Sequence, residues 1–498
     1  MTFQTTTEQA GENLLSCATR LAENIKSSDG HAAAMKEIVP RHLNGNNVDL
    51  AAELANSIDD PFTRDWLLSL VAEKCAAIDD DEYAFQLVEA IEDFGTQAQA
   101  HEHIVLSKSA KGEFAKALEI AETLDHADYA FADIAARQAE TGDEAGALLT
   151  LEKIDFPGAK VAVLQNVALL ELKKGETAKA VETLEKAAQI SGEIEFPEEK
   201  IRALIEIGSH FIEAKQMDAA IEVFDKAKAS AELIGGVHRD SMLANIALAF
   251  LQAGSLELAD RTLDLVADKT QTVFALIGFS RKFREKEERE EALETLEEAY
   301  AILKSQRMSE IRNSRERFKL WKTIAAEFAE LEKPERAIEI AQEIIDESEQ
   351  TLALRHISQI CTLQNKDEIA RLAHSSIQDD TQKMFALIGI SDAKNKAGKT
   401  DESLDFLREA YSHCDTVPQL ASRSAAYNEL AGRFHHFGDA EKARKLLRES
   451  LETISEIRDE SSRAVTLAQL ADSFEKLGFE LNDSEKEILR SMILKSEM

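Results

Sequence analysis

Residues 127–142 read ADYAFADIAARQAETG and run on into DEAGALLTLEKI; residues 159–175 read AKVAVLQNVALLELKKG and run on into ETAKAVETLEKA. Each is an apolar stripe at helical spacing, a Gly turn, and a second stripe at helical spacing. Taking the turn residue as an anchor, the unit recurs at Asn46, Asp79, Gly112, Gly142, Gly175, Lys215, Gly254, Glu287, Glu332, Asn365, Gly398, Gly438 and Gly478. The commonest spacing is 33 residues, room for two short helices, A before the anchor and B after it. Several units are longer by seven residues, about two helical turns at 3.6 residues each, so an added turn in B and one in the next A keep the stripes in register.

Four columns hold the alignment together. Seven residues before the anchor stand small groups, among them Ala72, Ala135, Ala168, Gly208, Ser280 and Ser391; five after it stand Ala51, Ala117, Ala180, Ala220, Ala292 and Ser403. These two columns predict a close crossing of helices A and B. Eleven before the anchor come large groups such as Leu164, Leu204, Trp321 and Tyr427, and eight before it apolar residues such as Ile134, Val167 and Ile207. Phe211, Phe250, Phe283, Phe328, Phe434 and Phe474, four before the anchor, are expected as core plugs.

The chain has 498 residues, too many for one core, yet a repeat array buries each unit only against its neighbours. With 20 Gly and 6 Pro against 44% apolar residues, the composition is neither turn-rich nor disordered. A net charge of −35 repels nucleic acid and anionic lipid, whose phosphates need clustered Lys and Arg. The polar first eleven residues do not read as a secretory leader, and no stretch approaches the roughly 20 apolar residues of a membrane helix. Cys17, Cys75, Cys361 and Cys414 are scattered, the pattern of reduced thiols in a cytoplasmic protein.

Large, then small, then Gly at the turn, then Ala in helix B: this pattern resembles the tetratricopeptide repeat family over about residues 31–476. The resemblance implies an all-α, right-handed superhelical solenoid of about 12–13 helix-turn-helix repeats. Residues 1–30 would form an N-terminal tail and capping helix, and 477–498 a C-terminal capping helix. His101 and Lys108 break the pattern and mark an expected soft point in the third unit. FALIGFS at 274–280 and FALIGIS at 385–391 lie 111 residues apart, and Glu298-Ala299-Tyr300 recurs as Glu409-Ala410-Tyr411 at the same offset, so a three-repeat block reads as duplicated.

Motifs for catalysis are missing: there is no phosphate loop, HExxH or GxSxG. His101 and His103, two apart on a helix, point to different faces, and His413-Cys414-Asp415 is adjacent in sequence rather than convergent in space. No catalytic, cofactor or metal residue is therefore assigned. What remains is the concave face that the resemblance assigns to the A helices. It would carry Leu248, Leu251, Phe274 and Ile277, then Arg281, Arg284, Lys319, Lys322 and Arg355. Residues 304–322 hold seven cations against Glu310 and Glu316, an anomaly in so acidic a chain. Glu206, Glu213, Glu285 and Glu330 lie near enough to neutralise some of them.

The expected function is a non-enzymatic scaffold or adaptor with a peptide or protein partner in the groove, acidic where it meets the cations. A peptide-sensing regulator and an enzyme with a site built across repeats are the alternatives; nucleic acid and membrane insertion are not expected. The small columns give a direct check. Ala168→Leu or Ala220→Leu should cost about 1–3 kcal/mol by overpacking, read as a lowered thermal midpoint, and full tolerance of both would mean that the register is misplaced.

Overall fold

All thirteen anchors have positive φ, from 58° at Asn46 to 88° at Gly142. This left-handed geometry is what stops each A helix. At Gly142 the anchor amide donates to the Ala139 carbonyl (3.1 Å) and the next amide, of Asp143, reaches back to Gln138 (2.8 Å). The pair satisfies carbonyls left open at the helix end. Lys215 and Glu287 close the same pair of bonds to Ile212 and Phe211 and to Arg284 and Phe283. The computed structural model describes residues 10–305 and 314–497, and among these it holds helices and turns with no strand. The protein is all-α, built of helix-turn-helix repeats.

The two small columns meet where they were expected. Ser280 Oγ donates to the Ala292 carbonyl at 2.7 Å, and Ser391 and Ser403 exchange hydrogen bonds with each other's carbonyls at 2.9 Å. A side chain reaching the opposite backbone needs helices in near contact. At Gly208 an added Cβ would stand 2.1 Å from the ring of Phe224, so that ring lies directly on the glycine. Phe211, Phe250, Phe328, Phe434 and Phe474 are buried and Phe283 is half-buried.

The plug column also takes polar residues, each given a partner. Lys108 is buried with Asp79 (3.0 Å) and Asp81 (2.6 Å) around its ammonium. Lys394 meets Glu402 at 2.7 Å, Gln138 receives the Thr150 hydroxyl at 2.7 Å, and Glu171 that of Thr183 at 2.9 Å. A buried charge keeps its place only when paired, and each partner comes from a neighbouring turn or B helix.

Repeats are tied together by a device the sequence columns do not display. Asp65 accepts from the amides of Glu92 and Asp93, Asp128 from Asp155 and Phe156, and Asp240 from Ala267 and Asp268. Each carboxylate thus holds the loop that starts the next A helix, 27–28 residues on. Six A helices among those described carry an aspartate cap: Asp60, Asp268, Asp346, Asp379 and Asp459 each accept an amide of the first turn, and Asp93 does the same for Thr96. Such a cap contributes about 0.5–2 kcal/mol over a residue that cannot cap.

The helices fall into two compact units, one of residues 1–108 with 377–498 and one of residues 109–376. In the first, the two ends of the chain meet. Leu14–Glu23 packs along Glu460–Leu477, the last A helix, while Asp483–Ser496 lies on Ala440–Ser455 and on Leu14–Glu23. The N-terminal helix therefore takes the place beside the last A helix that a B helix takes elsewhere, and Ser28–Asn44 stacks on that A helix as a next repeat would. Leu14, Cys17, Ala18, Leu21 and Ala22 are buried there, and Arg41 makes a two-pronged contact with Asp472 (3.0 and 2.8 Å). Arg20 pairs with Glu497 (2.9 Å) and Lys486 with Glu12 (2.6 Å) at the rim.

His42 is buried at this junction, its Nε2 2.9 Å from the Thr19 hydroxyl, and burial pushes its pKa down to about 4. Its unfolded value is about 6.5, so the folded state resists protonation. Stability from this residue is complete above pH 6.5 and is lost as pH falls from there toward 4. By pH 5.5 the loss should be about 1 kcal/mol. Thermal midpoints at pH 7.5 and 5.5 should separate less in His42→Gln than in the parent; an unchanged separation would place the acid sensitivity elsewhere.

Candidate functional site

The expected groove rests on four A helices, Gly236–Gln252, Lys269–Glu285, Ser314–Glu330 and Glu347–Leu363, all in the unit of residues 109–376. Consecutive ones pack closely. A Cβ added at Gly278 would stand 2.3 Å from Leu248 Cδ2, so Leu248 spends its side chain on the neighbouring helix. Leu251 and Ile277 are buried, 2% and 3% exposed, and serve the core instead of a surface. The physical reason is the close stacking of A on A, which covers the positions three and ten before the anchor in these two repeats. Phe274 is 44% exposed and is the one apolar member of the expected set that faces outward in this way.

The cations are mostly held by carboxylates of the next repeat. Arg281 Nε donates to Glu327 at 2.5 Å, and Arg284 reaches the other oxygen of Glu327 at 3.3 Å and Glu330 at 3.7 Å. Lys322 pairs with Glu349 at 2.6 Å. Arg355 is half-buried on Glu347–Leu363, and Lys319 is exposed. Of the carboxylates expected to neutralise the patch, Glu330 does so, whereas Glu285 takes Lys282 (2.8 Å). The principal partner, Glu327, is itself buried, a carboxylate inside the apolar run IAAEF at 324–328. That interruption is the sequence signal that could have identified it. Arg307 and Arg312 of the seven-cation segment lie outside the described residues.

Further polar clusters sit on B helices. Tyr300 donates to Glu343 at 2.8 Å, Lys304 pairs with the same carboxylate at 2.9 Å, and the Arg336 guanidinium lies 4.9 Å from the Tyr300 ring centre. In the duplicated block Tyr411 donates to Glu449 at 3.0 Å and Lys442 stands 3.2 Å from the ring centre. Both phenols are raised by burial, Tyr411 and Tyr300 alike. A Tyr, a carboxylate and a cation stacked on the ring have been kept in both copies, as a bond between successive repeats. Where Glu171 replaces the aromatic plug, a cavity of about 520 Å³ opens between Leu148, Leu151, Val167 and Leu170.

The cysteines are poorly placed for nucleophilic chemistry. All four thiols are buried and unbridged, and burial raises them to about 11 at Cys75 and Cys361 and about 12 at Cys17 and Cys414. A thiol so far from its thiolate is a weak nucleophile at neutral pH. His103 pairs with Glu73 at 3.2 Å while His101 lies against the Phe85 ring, 6.0 Å between centres, and among the described residues no group of three or more His, Cys, Asp or Glu could hold a metal ion. No helix among the described residues is long and apolar enough to cross a membrane.

No family model matches the sequence, and no curated protein does. Solved structures do. RapI in its apo form is 14% identical, with 72% of this chain and 97% of that one covered at a TM-score of 0.31. Aspartyl phosphate phosphatase F from Bacillus subtilis is 14% identical over 88% of this chain and 96% of its own, TM-score 0.30. A kinesin light chain protein of nearly identical TPR-like repeats from Podosopora anserina is 18% identical over 41% and 93%, TM-score 0.25. This chain is similar to such repeat proteins at low identity, and its own turns and columns make it a helix-turn-helix repeat protein.

Proposed function

We propose that this protein is a non-enzymatic scaffold that holds a peptide or protein partner along the A helices between Leu248 and Arg355. The partner is apolar toward Phe274 and acidic toward Lys319. The observation that carries the reading is Phe274 itself, an aromatic ring left 44% exposed in mid-helix, beside a surface of uncommon charge. Arg281, Arg284 and Lys322 are set on this face by Glu327, Glu330 and Glu349, and the exposed Lys319 stands beside them, a gathering of cations that is uncommon in a chain of net charge −35. A partner carboxylate would meet side chains already ordered by their ion pairs, and ordered side chains lose less entropy on binding. The buried, unbridged thiols agree with a cytoplasmic setting.

Because Arg281 and Arg284 hold the buried Glu327, reversing them would disturb folding together with binding. The informative variant is Phe274→Ala with Lys319→Glu, two exposed positions. Titrated with a labelled peptide that carries leucines ahead of an Asp/Glu run, this variant should bind at least ten times more weakly, with a shallower salt dependence and an unchanged thermal midpoint. Equal affinity in a correctly folded variant would move the partner off this face.

A further inference from the structure

Two A helices begin on the wrong residue for their own stability. Pro157–Lys173 and Pro197–Glu213 start after Phe156 and Phe196, neither of which makes a side-chain cap, at the place where Asp60, Asp268, Asp346, Asp379 and Asp459 cap theirs. The local sequences match: Ile154-Asp155-Phe156-Pro157 and Ile194-Glu195-Phe196-Pro197. The Ile is buried and anchors the loop, and the Pro at the first helical position pre-sets φ. Both of those serve the fold. The aromatic ring serves it less: Phe196 is 67% exposed, and Phe156, half-buried, spends one edge on Tyr129 at 5.9 Å, itself 59% exposed. One repeat further on, Leu233 in the equivalent loop is 85% exposed. Consecutive loop turns of one unit thus carry a row of apolar groups facing water, an arrangement that a soluble surface does not need.

The charge between these groups selects the occupant. Asp155, Glu193, Glu195 and Glu232 are exposed and make no ion pair among the described residues. Rings flanked by unpaired carboxylates complement a segment whose own face mixes apolar side chains with Lys and Arg. The rings take the apolar side chains and stack on the cations, and the carboxylates neutralise what remains. We propose that the loop edge formed by Tyr129, Phe156, Phe196 and Leu233 docks a basic amphipathic helix of a partner protein. This surface is distinct from the A-helix face and takes the opposite charge, so it stands independently of the groove reading.

Phe156→Asp with Phe196→Asp separates a structural role from a binding one. The two Asp residues restore the caps found on the sister helices, so the full-length variant should melt at or above the parent temperature. The probe is a fluorescein-labelled 18-residue Leu/Lys amphipathic helix, with a Leu/Glu helix of the same pattern as control. The parent should bind the Leu/Lys helix and not the control, and the tightest site should weaken at least tenfold in the variant despite its added negative charge. Undiminished Leu/Lys binding would show that the protein's general acidity, not the rings, attracts the probe and would overturn the proposal. A lowered melting temperature would also overturn it, by making the rings structural. So would sedimentation showing a parent dimer that the variant loses while neither binds the probe, because the occupant would then be a second copy.

Discussion

Thirteen left-handed residues, one per repeat, stop each A helix and turn the chain into its B helix. Everything else is counted from them. The amide after the turn, as at Asp143, Gln216 and Glu288, reaches back to the carbonyl of the residue four before the anchor, and that same residue sends its side chain between the two helices as the plug. The small residues at seven before and five after then fall at the crossing point, because the turn has fixed the rotation of both helices. A single backbone conformation therefore sets the plug, the crossing and the face presented to the next repeat. Six of the thirteen residues are not glycine, and for Lys215, Glu287 and Glu332 the left-handed region costs about 1–2 kcal/mol each. That such residues hold the geometry shows how strongly the surrounding packing dictates it.

Within this frame the plug is the variable part. Phenylalanine fills it in the middle and the last two repeats, while His42, Lys108, Gln138, Glu171 and Lys394 fill it elsewhere with a polar group whose partner is supplied nearby. The unit of residues 1–108 and 377–498 shows the same economy at its ends. Leu14–Glu23 stands beside the last A helix in the manner of a B helix, so the apolar flanks of the first and last repeats cover each other. Arrays of this kind otherwise need terminal repeats with a polar outer face.

The fold was legible because its columns are local. Gly142 and Gly175 announce the turn, and Ala168 and Ala220 announce the crossing, within one unit of sequence each. The non-glycine anchors were legible only by their spacing from the others. The site was less legible, for a physical reason. Whether Leu251 and Ile277 face a groove or a neighbour depends on how closely A stacks on A, and that is set by Gly278 and Leu248 in different repeats. Likewise Arg281 and Arg284 read as a basic patch until Glu327, 43–46 residues away in sequence, is placed between them. The Asp65, Asp128 and Asp240 clamps were not legible because the amides they hold lie 27–28 residues downstream, at the start of the next repeat.

The central claim is that left-handed turns, not side-chain contacts at the anchors, keep the repeat in register. It is tested most directly by thermal unfolding of two opposed sets of variants. In Gly142→Ala, Gly175→Ala and Gly254→Ala the new Cβ meets nothing within 4 Å, so any loss is conformational. Each should cost about 1 kcal/mol, whereas Lys215→Gly and Glu287→Gly should each gain about as much. Unchanged midpoints in both sets, or a loss on placing Gly at Lys215 and Glu287, would contradict the account and return the register to the side chains.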